Sequence, residues 1–306
     1  MNLPDKINSD FYCSALSLQA GEELFGTASR AGVYLLLEYN GAWGTKAFEE
    51  SDLPEAVRNR LKAYLNAIPA AKILLIRSRP GVREPGITYF IVSVTESSPV
   101  LYEFQLNDYQ DLLDLDPQAI LSGEDHRKQR RDGPLFLVCT NGKRDLCCAK
   151  FGLPVYTALV KAGEASVWQC THVGGHRFAA NALCLPHGIL YGRLKPEDAG
   201  QILETYRRGE LDLEHYRGRV CYSEIVQAAD YYLRRVCGSL DLNGFRWLDS
   251  TEIEPERWVV RFQAVETGNT HQLQLVVEHS SVKIYTSCTP DKLSSPINYR
   301  LVDYKA

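Results

Sequence analysis

The residues of this chain able to do chemistry lie in two stretches, Cys139-Thr-Asn-Gly-Lys-Arg-Asp-Leu-Cys147-Cys148 and His172-Val-Gly-Gly-His176. Eight residues separate Cys139 from Cys148, and three separate His172 from His176. Thiolates and imidazoles are soft or borderline ligands that select zinc, copper or iron–sulfur centres. Short structural zinc motifs place their cysteines about two to four residues apart. A spacing of eight is longer, and a [2Fe-2S] rhomb is wider than a single ion. Spacing alone therefore leaves iron–sulfur and zinc both open.

The elements that position these residues follow from hydrophobic pattern. Leu135-Phe-Leu-Val138 is a short apolar strand, residues 146–162 suit a helix, and Ser166-Val-Trp-Gln-Cys170 is a second strand. The cysteines then fall in the strand-to-helix loop and the histidines after the next strand. Consecutive strand ends lie side by side, so both loops meet at one end of a sheet. Gly174-Gly175 leaves the backbone bare between the histidines, which would let it approach a bound group. Ala182–Leu185 and Ile189–Leu194 form a hairpin across Pro186-His187-Gly188, and Lys195-Pro196 opens a helix to about Arg208.

Residues 1–126 show nearly the same element order. Val33–Tyr39 is a strand, and Ser51-Asp52 precedes a helix from Pro54 to Ile68. Val57, Leu61, Tyr64, Leu65 and Ile68 share one face of that helix. Strands at 72–77, 87–94 and 100–106 follow, then a short helix at 109–115; a Pro/Gly-rich loop, 79–86, splits the first two strands. The polar run 123–133 reads as a linker. The predicted fold class is α/β (α+β): tandem thioredoxin-like blocks at 1–126 and 132–212, the second carrying the ligands. A third block, 213–306, reads as a C-terminal appendage. It has an amphipathic helix at 222–236, with Ile225, Val226, Ala229, Leu233 and Val236 inward, and then antiparallel strands.

The ligand-bearing stretches resemble a known family. Cys139 to Cys148, Thr171-His-Val-Gly-Gly-His-Arg-Phe178, and Gly188-Ile-Leu-Tyr-Gly-Arg-Leu-Lys-Pro-Glu-Asp198 resemble the sucrase/ferredoxin-like family and, more distantly, the thioredoxin-like [2Fe-2S] ferredoxins. The resemblance covers residues 130–210 well and 10–130 loosely. It implies a [2Fe-2S] cluster on Cys139, Cys148, His172 and His176, with His172 and His176 where those ferredoxins carry a second cysteine pair. The family spacing selects Cys148 and leaves Cys147 as a packing or neighbouring residue. Two ferric ions, two sulfides and two thiolates sum to zero charge, whereas a four-cysteine centre carries two negative charges. The histidine-ligated centre then accepts an electron more readily, as Rieske centres do, and an imidazole nitrogen facing away from iron couples reduction to pH. The N-terminal block has no cysteine pair in its matching loop, 40–50, and is expected to be a clusterless copy.

The other cysteines carry less signal. Cys170 and Cys184 sit on predicted strands and read as small core residues, and Cys13, Cys221, Cys237 and Cys288 read as isolated ones. His187 reads as a turn histidine, Trp43 and Trp168 as core aromatics. Arg144 and Asp145 suggest a salt-bridged loop brace. Lys143, Arg144, Lys150, Arg177 and Arg193 form either a docking rim for an acidic redox protein or a solvated face.

Composition limits the alternatives. With 34 basic against 38 acidic residues the net charge is −4, which disfavours a nucleic-acid partner. No apolar run approaches the roughly 18 residues of a membrane span, and the charged first ten residues do not read as a signal peptide. Nine cysteines without such a signal point to a reducing, cytoplasmic compartment. No carboxylate pair is singled out for glycoside hydrolysis, so sucrase activity is not expected. The expected function is electron transfer or redox sensing. The alternatives are a zinc-stabilised interaction protein using the same four residues and a thiol-redox enzyme, the latter weakened by the lack of a Cys-x-x-Cys pair.

Overall fold

A computed structural model of the protein describes residues 12–78, 86–123, 126–163, 166–289 and 293–306. The predicted Pro/Gly-rich loop, at 79–85, and the first ten residues lie outside them.

The N-terminal block runs α1 (Cys13–Gln19), β1 (Val33–Glu38), α2 (Glu55–Ala67), β2 (Ala71–Arg77), β3 (Ile87–Ser93), β4 (Val100–Leu106), a 3-10 turn at Tyr109–Asp114, and α3 (Pro117–Ser122). All six residues of β1 are buried, as a central strand covered on both faces requires. Helix α2 turns Val57, Leu61 and Tyr64 inward at the 3.6-residue period. The second block repeats the order with β5 (Leu135–Cys139), α4 (Leu146–Lys161), β6 (Val167–Cys170), β7 (Ala182–Leu185), β8 (Ile189–Tyr191) and α5 (Ala199–Arg207), and β9 (Tyr216–Arg219) follows.

The two blocks share one nine-stranded sheet of order β4-β3-β1-β2-β6-β5-β7-β8-β9. Each half pairs its first two strands in parallel and adds the next two antiparallel, so the halves mirror each other across the β2–β6 seam. The seam is short. Ile76 pairs with Cys170 and Arg77 with Gln169, and Thr171 exchanges backbone and side-chain hydrogen bonds with Leu75. One core spans it: Leu36, Phe90 and Val92 from the first block pack with Leu137, Cys139, Trp168 and Cys170 from the second. Phe90 meets Trp168 edge to face at 5.6 Å between ring centroids.

The third block comprises α6 (Glu224–Cys237), β10 (Phe245–Glu254), β11 (Arg257–Ala264), β12 (Thr270–His279), a two-stranded ladder of β13 (Ile284–Tyr285) and β14 (Leu293–Ser294), and β15 (Ile297–Lys305). The sheet β10-β11-β12-β15 is wholly antiparallel and packs Val260, Phe262, Leu273 and Leu275 against Val226, Ala229 and Leu233 of α6. Val236 departs from the expected inward face and is 47% exposed, one residue before α6 ends.

Candidate metal centre

The sequence places the ligand residues by ordinary local rules. Cys139 closes β5, and the loop to α4 is held by Asn141. Its Oδ1 accepts from the backbone of Lys143 and Arg144, and its Nδ2 donates to Gly44 O at 3.0 Å. Gly44 belongs to the equivalent loop of the first block. Thr45 of that loop also donates to Lys143 O, so the first block buttresses the ligand loop. Asp145 caps α4 by accepting from Cys147 N at 2.9 Å, which fixes the helix start carrying Cys147 and Cys148. Asp145 therefore braces the loop through the cap and not through Arg144, which is exposed. Helix α4 approaches β5 closely at Gly152, where an added Cβ would meet the Cys139 carbonyl oxygen at 2.1 Å.

The structure brings Cys139, Cys148 and His172 together. His172 Nδ1 lies 4.0 Å from Cys139 Sγ and 3.9 Å from Cys148 Sγ. These donor atoms all lie within 4.8 Å of one another, and the group is able to hold a metal ion. Both cysteines are buried and His172 is half-buried. The pair shares its charge unequally. Cys139 is held well below the ordinary thiol range, chiefly by a hydrogen bond from Cys148 and then by His172, while Cys148 is pushed up by that same bond and by burial.

His176 stands outside this set, its ring 5.0 Å from that of His172 between centroids. Its Nε2 is 3.7 Å from Asp145 Oδ2, and its Nδ1 is buried with no hydrogen-bond partner among the described residues. A histidine whose outer nitrogen faces a carboxylate and whose inner nitrogen is unpartnered is the usual arrangement of a metal ligand. Burial lowers the His176 pKa, and Asp145 works against that shift. The donor chemistry of all four residues thus fits a soft or borderline metal group.

Gly174 and Gly175 are explained by the fold and not only by room for a bound group. Their φ angles are +98° and +70°, in the left-handed region. A Cβ at Gly174 would meet Ser29 Oγ at 2.1 Å, and one at Gly175 would meet Arg217 Nη2 at 2.3 Å. Arg217, buried on β9, ties the loop down: its Nη1 donates to Gly174 O at 3.0 Å and to Asn181 Oδ1 at 2.7 Å. We expect Gly175→Ala to cost about 1–2 kcal/mol from the left-handed backbone alone, with the Arg217 contact adding to it. Thermal denaturation checks this; an unchanged melting temperature would mean that the histidine loop re-routes freely.

The remaining predicted residues divide. Cys170 and Cys184 are buried core residues, and Trp43 and Trp168 are buried aromatics, Trp43 lying under Arg77 at 3.7 Å. His187 is half-buried beside Tyr206 Oη at 2.6 Å, and burial pushes its pKa down to about 4. Of the basic residues, Arg177 pairs with Glu22 at 2.8 Å, and Arg193 donates to Ser17 Oγ at 3.1 Å and to Glu22 O. Both are spent on holding α1 and the segment after it, whereas Lys143 and Arg144 are exposed beside Leu146, and Lys150, also exposed, lies over the Tyr12 ring at 4.6 Å. Cys13, Cys147 and Cys288 are not isolated, contrary to the sequence expectation for Cys13 and Cys288. Their sulfurs lie within 3.7 Å of one another beside Asp145. No spacing signal could have found them, since 134 positions part Cys13 from Cys147 and 141 part Cys147 from Cys288.

Among the described residues no helix is long and apolar enough to cross a membrane. The family model described as sucrase/ferredoxin-like matches residues 24–218. The chain is similar to Altered inheritance of mitochondria protein 32 of Meyerozyma guilliermondii, 29% identical over 138 residues, 42% of this chain and 48% of that protein. The Debaryomyces hansenii protein of the same name is 33% identical over 108 residues, 31% of this chain and 39% of that one. The Saccharomyces cerevisiae protein is 22% identical over 223 residues, 58% of this chain and 71% of that one. The chain spans about half the length, or less, of the first two relatives. No solved structure matches it. The family match runs through both halves of the large sheet and every predicted ligand, and the chain belongs to the sucrase/ferredoxin-like family.

Proposed function

We propose that Cys139, Cys148, His172 and His176 hold a [2Fe-2S] cluster, and that the protein transfers electrons or senses redox state through it. The observation that carries this reading is His176. Its Nδ1, buried with no hydrogen-bond partner among the described residues, adds a fourth donor outside the compact trio of Cys139, Cys148 and His172, and a two-metal group needs that wider spread. When bound, the cluster supplies one-electron chemistry at a potential set by its ligands and surroundings. The chain's own residues do the rest. Cys139 and Cys148 would hold one iron from the buried side, and the two histidines the other from the half-buried side. Asp145, facing His176 Nε2, holds a proton at that nitrogen. Exposed Lys143, Arg144 and Lys150 around Leu146 suit an acidic redox protein as partner, and the net charge of −4 disfavours nucleic acid. A reducing compartment such as the cytoplasm would keep the ligating cysteines available as thiols.

A single zinc ion on Cys139, Cys148 and His172, serving an interaction protein, is the second reading. The 3.9 and 4.0 Å spans favour it, being close to those of a mononuclear site.

Replacing either histidine by cysteine separates the two. His172→Cys and His176→Cys should keep a visible, redox-active chromophore and lower its potential, because each adds a negative ligand. The wild-type potential should fall with rising pH. The sign follows from the added electron, which raises the affinity of the outer imidazole nitrogen for a proton. Between the oxidised and reduced pKa values the slope approaches about 59 mV per pH unit for one proton per electron. A flat potential-against-pH plot removes the proton coupling, and indifference of the potential to both substitutions removes the histidines as ligands.

A further inference from the structure

The thiols that the cluster leaves over converge from three remote parts of the chain. Cys13 opens α1, Cys147 lies in the first turn of α4, and Cys288 follows β13. Cys13 and Cys147 are buried and Cys288 is half-buried. Their sulfur separations are 3.6 Å for Cys13–Cys147, 3.2 Å for Cys147–Cys288 and 3.7 Å for Cys288–Cys13. A disulfide needs about 2.05 Å, so none of these pairs is bonded. Tetrahedral coordination with metal–sulfur bonds near 2.3 Å puts sulfurs about 3.8 Å apart, close to what is found.

A fourth donor is already in place. Asp145 Oδ1 lies 3.7 Å from Cys13 Sγ, and the three sulfurs and a carboxylate oxygen all fall within 4.8 Å of one another. The carboxylate is oriented by others: its Oδ2 accepts from Cys288 N at 2.8 Å and from Ser287 Oγ at 3.2 Å. Ser14 Oγ lies 3.3 Å from Cys147 Sγ, as a neighbouring donor to a bound thiolate would. Cys147 and Cys148, adjacent in sequence, send their sulfurs to different groups, so this set shares no donor atom with the proposed cluster.

We propose that Cys13, Cys147, Cys288 and Asp145 form a second metal site, which binds one thiophilic divalent cation of the zinc class. Binding displaces to solvent the protons that the thiols still carry and leaves three thiolates and one carboxylate around the ion, a net charge of minus two. The ion ties α1, the start of α4 and the segment after β13 to one point. It does so beside His176, whose Nε2 faces the same carboxylate.

Zinc titration of the reduced, full-length chain against a chromophoric chelator tests this, in a Cys139→Ser/Cys148→Ser background that silences the first site. One equivalent of zinc should bind, with about three sulfur neighbours by X-ray absorption. Cys288→Ser and Cys147→Ser should each weaken it by about a hundredfold or more. Cys288→Ser alters a half-buried side chain, and its circular dichroism and melting curve show whether it is folded if Cys147→Ser is not. A folded chain that binds no zinc, or whose zinc is unmoved by Cys288→Ser, overturns the proposal. So does alkylation mapping that finds a disulfide among the three thiols with no metal present. Iron in the wild-type protein without zinc would defeat this proposal alone; zinc without iron would defeat the cluster reading alone.

Discussion

Cys139→Ser and Cys148→Ser each yield a colourless protein without iron, whereas Cys147→Ser keeps its colour. This contrast is the largest functional effect expected of any single substitution here. It follows from the divergence of two adjacent side chains at the start of α4. Cys148 Sγ lies 3.9 Å from His172 Nδ1, while Cys147 Sγ lies 3.2 Å from Cys288 Sγ and 3.6 Å from Cys13 Sγ. A serine at 139 or 148 removes one of two thiolates and leaves a harder oxygen that iron–sulfur centres hold poorly. Iron analysis and the visible spectrum of the three purified variants check it. Loss of colour from Cys147→Ser with retention in Cys148→Ser would exchange the roles of the two residues.

Trp168→Ala is expected to cost about 3–5 kcal/mol, the range for removing a buried aromatic. Trp168 is fully buried on β6, the strand that joins the halves of the sheet, and it packs edge to face on Phe90 of the other half. The backbone seam between the halves is short, so this shared core carries much of their attachment. Trp168 also neighbours Cys139 and Cys170 in that core, so the cavity opens directly behind the candidate site. Chemical denaturation measures the loss; a cost below about 1 kcal/mol would show that the halves are held together elsewhere.

How far sequence led to this picture depended on what each strand buries. The paired blocks were legible because β1, β3, β5 and β7 are apolar runs and α2 and α4 have clear inward faces. The ligand loops were legible because a strand end and a helix start bring Cys139 and Cys148 together. Strand β9 was not: Tyr216-Arg-Gly-Arg219 reads as a polar surface segment, yet Arg217 and Arg219 are both almost fully buried. Carbonyls of distant loops hold them, Gly174 and Thr27 for Arg217 and Leu242 for one nitrogen of Arg219, whose Nε and Nη1 are buried with no hydrogen-bond partner among the described residues, and no local pattern reveals this. Helix α1 and strand β15 were missed for a related reason. Each is short or half-exposed and owes its form to tertiary partners. The three-thiol group was illegible because its members meet only when both ends of the chain fold back onto α4.

The iron and acid-labile sulfide content of the full-length protein, purified without oxygen, tests the central claim most directly when read with the visible spectrum. The cluster reading predicts a brown protein with equal iron and sulfide, two of each per chain, whose absorption bleaches on reduction. A colourless protein with no sulfide, whose metal is zinc and is lost on Cys139→Ser, would contradict it.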